Sequence, residues 1–329
     1  PGFTTILKHT VAEIIVAKRV EKITLGVDIA KDDCAVHAWE TDEPLALPNQ
    51  RKAIANYLDS LQGPVRIALE PTSNYHRLWV ELALARGFEV YLVNPRQLAH
   101  YREAVNQRNK TDPDDAWLLA RFLSHEAQQL RPYQPLDARA QYLWSLLKRR
   151  AKVVEARKQL QQSFREIQLS AQALFTQFQG LLKRIDQRIF RAIQDLGWND
   201  DYQRCRSIPG IGPLNAAALV AAYHRGAFAN SQTFIAFIGL DVRIRDSGTY
   251  KGKRKLTKRG EAEIRRLLYR AAQPARSYAP FSRYYDKQID KGLPKIAAKV
   301  ILARKLARIA FSLMQNQTHF VKKQENTLA

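Results

Sequence analysis

The sequence predicts an α/β domain with a mixed sheet, then a long helical segment, then a mainly helical C-terminal part. Three observations carry this. Several short β-branched runs come first and then alternate with helical patterns, as in α/β proteins. Residues 139–196 contain no proline and a single glycine, at 180. From residue 199 glycine and proline return, followed by a cationic run and two further helical patterns.

Residues 23–29 (ITLGVDI) form a buried-strand run that turns polar at Lys31-Asp32-Asp33. Residues 34–39 alternate loosely as a second strand, and 43–47 form a third. Ile54, Tyr57, Leu58 and Leu61 place a helix at 49–61. Residues 65–69 (VRIAL) are a short strand ending at Glu70; 74–86 form a helix; 88–93 form a strand closed by Asn94-Pro95. A helix runs from Pro113 to about Gln129. Leu160, Phe164, Ile167, Ala171, Leu174, Phe178, Leu181 and Ile185 then repeat in steps of four and three. This heptad seam predicts a coiled coil, or two helices that break near Gly180, with a partner helix in the same chain or a second copy. An ordinary amphipathic helix on its own domain is the alternative. Further helices are expected at about 261–275 and 294–315. The expected organisation is an N-terminal extension (1–22), an α/β domain (23–136), a helical dimerisation segment (137–198) and a C-terminal domain (199–329).

The 329 residues are 46% hydrophobic, enough for a core and against wholesale disorder. Lys and Arg total 53 against 31 Asp and Glu, a formal charge of +22. A polyanion is the natural partner: nucleic acid first, an acidic membrane surface second. Residues 199–329 hold 25 basic and 9 acidic residues, net +16; residues 1–198 hold 28 and 22, net +6. The C-terminal part is therefore the stronger polyanion binder. Two cysteines, Cys34 and Cys205, build no disulfide framework, and no apolar run reaches the length of a membrane span. A cytoplasmic protein with no membrane partner is expected.

The acidic residues of the first part are arranged for chemistry. Asp28 ends the first strand and Glu70 the later one. Asp112 and Asp115 lie in KTDPDDA, with Asp112 placed as a cap before Pro113 at the first helical position. Their i, i+3 spacing puts them on one side of the first turn, whereas Asp114 points elsewhere. Converging carboxylates repel unless divalent metal neutralises them, and hard oxygen ligands select Mg²⁺ or Mn²⁺. Two such ions could activate a nucleophile in phosphodiester chemistry. Residue by residue the plainer reading stands beside this: Asp112 as a cap, Asp115 as a helix-start charge, Asp28 and Glu70 as turn residues.

GVDIAKDD, ALEPTSNY and KTDPDDAWLLA, in this order and with VYLVNP between the last two, resemble the catalytic domain of the DEDD transposases of insertion-sequence family 110. That family includes the 1111 subgroup and the Piv-type DNA invertases. The resemblance implies a RuvC-like ribonuclease H fold of the Holliday-junction-resolvase kind. It also implies that Asp28, Glu70, Asp112 and Asp115 form a metal-binding tetrad, with two Mg²⁺ ions per site. It spans about residues 23–315.

The second half of the site is less legible. Pro209-Gly210-Ile211-Gly212 before a small-residue helix looks like a helix-hairpin-helix turn, whose amides could meet a phosphate. A glycine turn between packed helices is the alternative. Lys251, Lys253, Arg254, Lys255, Lys258 and Arg259 place six cations in nine residues, a phosphate-contacting surface or a solvated basic loop. Ser247-Gly248 precedes them. By chemistry alone Ser247 is a turn serine. GLDVRIRDSGTYKGKRKLTKRG resembles the family's second conserved segment, which implies that Ser247 is the nucleophile rather than Ser207 or Ser231. Family members often carry a proline where this chain reads GLDVR.

The expectation is a DNA recombinase that acts on element ends and target DNA through a 5′-phosphoserine intermediate. The tetrad and Ser247 lie in different domains, so a homodimer assembling to a tetramer on DNA is expected. The resemblance also implies a guide (bridge) RNA and a bacterial or archaeal cytoplasm. A structure-specific nuclease that uses water, or a non-catalytic nucleic-acid-binding protein, is the alternative.

Overall fold

A computed structural model describes residues 22–321, apart from 72, 110, 136, 168, 244, 245, 248 and 253 and the side chains of 250 and 251. The expected extension at 1–22 therefore lies almost wholly outside the described residues. The chain forms two compact units, residues 1–135 and 136–329.

The first unit is built on β1 (Ile23–Ile29), β2 (Asp33–Ala38), β3 (Glu43–Pro48), β4 (Val65–Leu69) and β5 (Glu89–Leu92). The sheet order is β3-β2-β1-β4-β5. The first three strands are an antiparallel meander, while β1, β4 and β5 run parallel. The connecting helices are α1 (Arg51–Ser60), α2 (His76–Leu84), α3 (Pro95–Ala104) and α4 (Asp112–Glu126).

Period-two alternation divides β1 between two cores. Leu25, Val27 and Ile29 face a core with Ile54 and Leu58 of α1 and Trp79 and Ala83 of α2. On the opposite face, Ala68 of β4 and Tyr91 of β5 pack with Leu98 of α3 and Leu118, Leu119, Phe122 and Leu123 of α4. Gly26 lies on that second face, and α4 rests directly on it. A Cβ there would overlap the Ala116 carbonyl oxygen and the Ala120 amide. Small residues on both sides thus permit this close helix–strand approach.

The strands and helices expected up to residue 93 are present, their ends shifted by at most two residues. The helix α3 was not foreseen. Asn94-Pro95, read as the close of a strand, also starts this helix: the Asn94 side chain accepts a hydrogen bond from the Arg96 amide, and proline opens the first turn. The start of α4 corrects a second point. Its cap is Thr111, not Asp112. The Thr111 hydroxyl accepts from the Asp114 amide and donates to the Asp114 carboxylate at 2.6 Å. Asp114 is thereby occupied in the cap.

The second unit begins with an antiparallel helical hairpin, α5 (Ala138–Ser163) and α6 (Gln172–Asp195). Arg139 donates to the Asp195 carbonyl at 3.0 Å, Arg150 pairs with Asp186, and Phe164 meets Phe175. The expected seam is therefore not one rod. The chain leaves the helix after Ser163, makes one tight turn at 164–166 and resumes at Gln172; Gly180 lies inside α6. One helix ends at Ser163 and the next starts at Gln172, so heptad positions on either side fall on different helices.

The unit continues with α7 (Asn199–Arg206), α8 (Pro213–Tyr223), α9 (Ser231–Phe237), α10 (Ala262–Ala275), α11 (Phe281–Asp290) and α12 (Lys295–Gln315). One core joins Leu143 and Leu147 of α5 and Ile189 and Ile193 of α6 to α8, α9, α10 and α12. The base of the segment expected at 137–198 thus packs into the core of the second unit, and the compact division falls at 135/136. Between α9 and α10 projects a thin arm. Its root pairs β6 (Val242–Arg243) with β9 (Lys255–Leu256), and its outer part pairs β7 (Asp246–Ser247) with β8 (Tyr250–Lys251).

Candidate active site

The sheet register sets the first two carboxylates side by side. Val27 of β1 pairs with Leu69 of the parallel β4, so Asp28 and Glu70 are the next residues on neighbouring strands at one rim. Asp28 shares the face of Gly26, two residues before it. The helix α4 sits on Gly26 through Ala116 and Ala120. One turn toward its start lie Asp112 and Asp115, at the same rim.

The electrostatics register this convergence. The Asp28 carboxyl is pushed from 3.8 to about 6, first by burial, then by the charges of Asp115, Asp112 and Glu70. The Ile29 amide, 3.1 Å from Asp28 Oδ1, pulls the other way. Asp115 is tied to Arg102 of α3, both about five-sixths buried. Arg102 is the site residue that sequence reasoning missed. The Asn94-Pro95 helix start was the signal that could have located it.

The four carboxylates offer hard oxygen atoms of the kind that could hold a small divalent cation, which would relieve their mutual repulsion. As placed, no three His, Cys, Asp or Glu side chains among the described residues stand close enough to enclose an ion. The four carboxylates thus share a field without forming a closed coordination shell, and Arg102 neutralises part of that field.

Ser247 lies in the other unit, exposed on the outer strand pair of the arm and opposite Tyr250. Its neighbour Asp246 accepts from the Gly252 amide at 3.2 Å and pairs with Arg254 at 2.9 Å. Lys255, Lys258 and Arg259 are exposed. Lys253 and the Lys251 side chain lie outside the described residues, as do Lys110, Thr72 and Gly248 of the sequence motifs. Ser207 is engaged with the Arg204 carbonyl and the Phe320 amide, and Ser231 starts α9. Gly210, at φ +88°, is demanded by packing: a Cβ would stand 2.5 Å from Cβ of Ala275. Gly212 caps α8 ahead of Pro213.

Residues 25–170 match the family model of the DEDD IS110 transposases, described as Transposase. Residues 202–286 match a second model, described as Transposase IS116/IS110/IS902 family. The chain belongs to the IS110 family of transposases. The four carboxylates fall within the first match and Ser247 within the second.

Individual relatives agree along nearly the whole chain. The pilin gene-inverting protein of Moraxella bovis is 24% identical over 323 residues, covering 92% of this chain and 99% of that protein. A probable family 20 transposase of Pseudomonas aeruginosa is 24% identical over 337 residues, covering 89% and 97%. The transposase for insertion sequence element IS1111A of Coxiella burnetii is 25% identical over 290 residues, 76% of each chain. No helix among the described residues is long and apolar enough to cross a membrane.

Proposed function

We propose that this IS110-family enzyme cuts and rejoins DNA strands through a covalent serine intermediate, with Asp28, Glu70, Asp112 and Asp115 as its metal-binding carboxylates. One observation carries the reading: in a chain of charge +22, Asp28 is held near a pKa of about 6 by burial and three other carboxylates. Such a cluster costs stability, and a divalent cation bound there relieves it. The strand order β3-β2-β1-β4-β5, with an antiparallel meander followed by parallel strands, supports a ribonuclease H-type scaffold for it.

Bound by these four residues, Mg²⁺ supplies charge stabilisation at the reacting phosphate. The protein's own part is as follows. Ser247 Oγ attacks the scissile phosphorus, a serine–phosphate bond forms, the bond to the 3′ oxygen breaks, and the 3′-hydroxyl leaves with a proton. A new 3′-hydroxyl reverses the step, so phosphodiester bond energy is conserved. The exposed cations Arg254, Lys255, Lys258 and Arg259 hold the DNA backbone beside the serine. Exposed Ile167, Leu169, Leu174 and Leu181, near the tip of the hairpin, support association with a second copy and assembly to a tetramer on DNA. The guide RNA belongs to the proposal on the family resemblance alone.

The test uses element-end DNA, its flanking RNA and Mg²⁺ with wild type, Ser247→Ala and Asp28→Ala. A denaturation-resistant protein–DNA adduct, lost in both variants, is the expected result. Cleavage without an adduct, unchanged in Ser247→Ala, assigns the chemistry to water and sinks the serine mechanism. No metal-dependent cleavage and unimpaired binding in Asp28→Ala would leave a nucleic-acid-binding protein.

A further inference from the structure

Several partly buried arginines of the second unit meet a carboxylate: Arg150 meets Asp186, Arg204 meets Asp201, Arg266 meets Glu263. Arg304 and Arg308 do not. They lie one turn apart on α12 and share one face. Both donate to a single neutral oxygen, Gln232 Oε1 of α9, at 3.3 and 2.6 Å. The Nε of each is buried without a partner. Among the described residues neither forms an ion pair.

Asp241, whose charge acts on Arg304, makes no ion pair with it among the described residues. The Asp241 carboxylate accepts from the Thr257 hydroxyl. Burial, and next the charge of Arg308, hold the Arg304 guanidinium below its ordinary value; Asp241 and Tyr284 act in the other direction. One amide oxygen, and a carboxylate that forms no ion pair with either arginine, offset the two half-buried positive charges only in part. Keeping like charges together in a partly desolvated place is unfavourable unless an anion joins them.

The position matters as much as the charge. The root of the cationic arm closes against the same helix, α9. Just past its end Gly239 meets the Gly260 amide so closely that a Cβ would stand 2.5 Å away, and Arg265 donates to the Gly260 carbonyl. Asp241 and Thr257 close the next rung.

We infer that Arg304 and Arg308, presented by Gln232 at the root of the arm, form a phosphate-binding clamp for a nucleic-acid backbone. Two planar guanidinium groups offer paired donors that match the non-bridging oxygens of a phosphodiester. Gln232 holds the groups before binding, so little side-chain freedom is lost when the phosphate arrives. The clamp carries no base information and fixes register. The inference rests on the proposed nucleic-acid chemistry and adds a specific anchoring point to it.

The test measures binding of the full chain to a labelled random-sequence DNA duplex and, separately, a labelled RNA hairpin across a salt series. The key variant is Gln232→Glu. Gln232 is exposed, so the fold tolerates it, and a carboxylate there occupies the clamp from within. A like change at exposed Gln194 on α6 controls for net charge. Gln232→Glu is expected to keep or raise the melting temperature while weakening binding about tenfold. The slope of log K against log salt falls by about one phosphate contact, ~0.9 for duplex DNA. Arg304→Gln with Arg308→Gln gives the same loss. Loss on DNA alone, or on RNA alone, supports the clamp and names its strand. Gln232→Glu binding like Gln194→Glu on both probes overturns the inference. If wild type itself binds neither probe, the proposed function fails rather than the clamp.

Discussion

Replacing Asp28 with asparagine tests the charge balance of the acidic cluster without relying on activity. Its carboxyl titrates at about 6 in the folded chain against 3.8 as a free group. The folded state therefore holds the proton more tightly than the unfolded state, and stability falls as pH rises between these values. At ~1.36 kcal/mol per tenfold the full rise would be worth about 3 kcal/mol, and solvent screening of this partly exposed carboxylate leaves about 1–2 kcal/mol of strain at neutral pH. Asp28→Asn removes that strain and still offers an oxygen to the Ile29 amide. With metal chelated, the variant is expected to be more stable than wild type by about 1–2 kcal/mol near about pH 7. The advantage shrinks below about 0.5 kcal/mol near about pH 3.5, because Asp28 is then protonated in the folded state and mostly protonated in the unfolded state. For a unit of this size the neutral-pH gain is a shift of roughly 3–8 °C in the transition of the first unit. The assay is paired thermal or urea unfolding across pH, repeated with Mg²⁺, which should stabilise wild type more than the variant. A difference independent of pH, or a variant less stable at pH 7, would refute the repulsion argument.

Three further outcomes follow from the packing. Gly26→Ala forces a methyl into the backbone of α4 and should cost more than about 4 kcal/mol, read as loss of the first unit's cooperative transition; a near-neutral effect would contradict the helix–strand approach. Arg102→Gln leaves Asp115 without its cation and should destabilise the metal-free protein by about 1–3 kcal/mol, with Mg²⁺ restoring most of the loss in melting scans. Cys34 and Cys205 are buried, the Cys34 thiol is pushed up to about 11 and the Cys205 thiol is also raised; both should resist alkylation at about pH 8 until the chain unfolds, and fast native labelling would contradict their burial.

Much of the first unit was legible because its signals are local. Buried strands announce themselves by β-branched runs, and the i, i+3 spacing of Asp112 and Asp115 places them on one turn wherever the helix starts. The cap shifted by one residue because threonine and aspartate compete for the same role, and the Asp114 amide chose Thr111. The helix α3 was overlooked because Asn94-Pro95 serves equally as a strand end and a helix start. With it went Arg102, whose partner lies 13 residues away on another helix. The heptad seam misled for a different reason. Periodicity records which residues are apolar, not whether the chain continues straight, and the reversal after Ser163 carries no proline or glycine to mark it. Nor does Arg304-x-x-x-Arg308 look unusual in a chain with so many cations.

By itself the sequence determined the charge balance, the strand–helix alternation of the first unit and the three acidic motifs in their order. These depend on neighbours within a few residues. Tertiary structure decided what those residues do to one another. The parallel register of β1 and β4 makes Asp28 and Glu70 neighbours, the absent side chain of Gly26 brings α4 down upon them, and the folding back of α5 on α6 turns a heptad repeat into a hairpin. Each depends on contacts between segments remote in sequence, and a linear pattern records what a residue is without recording which remote residue will stand beside it.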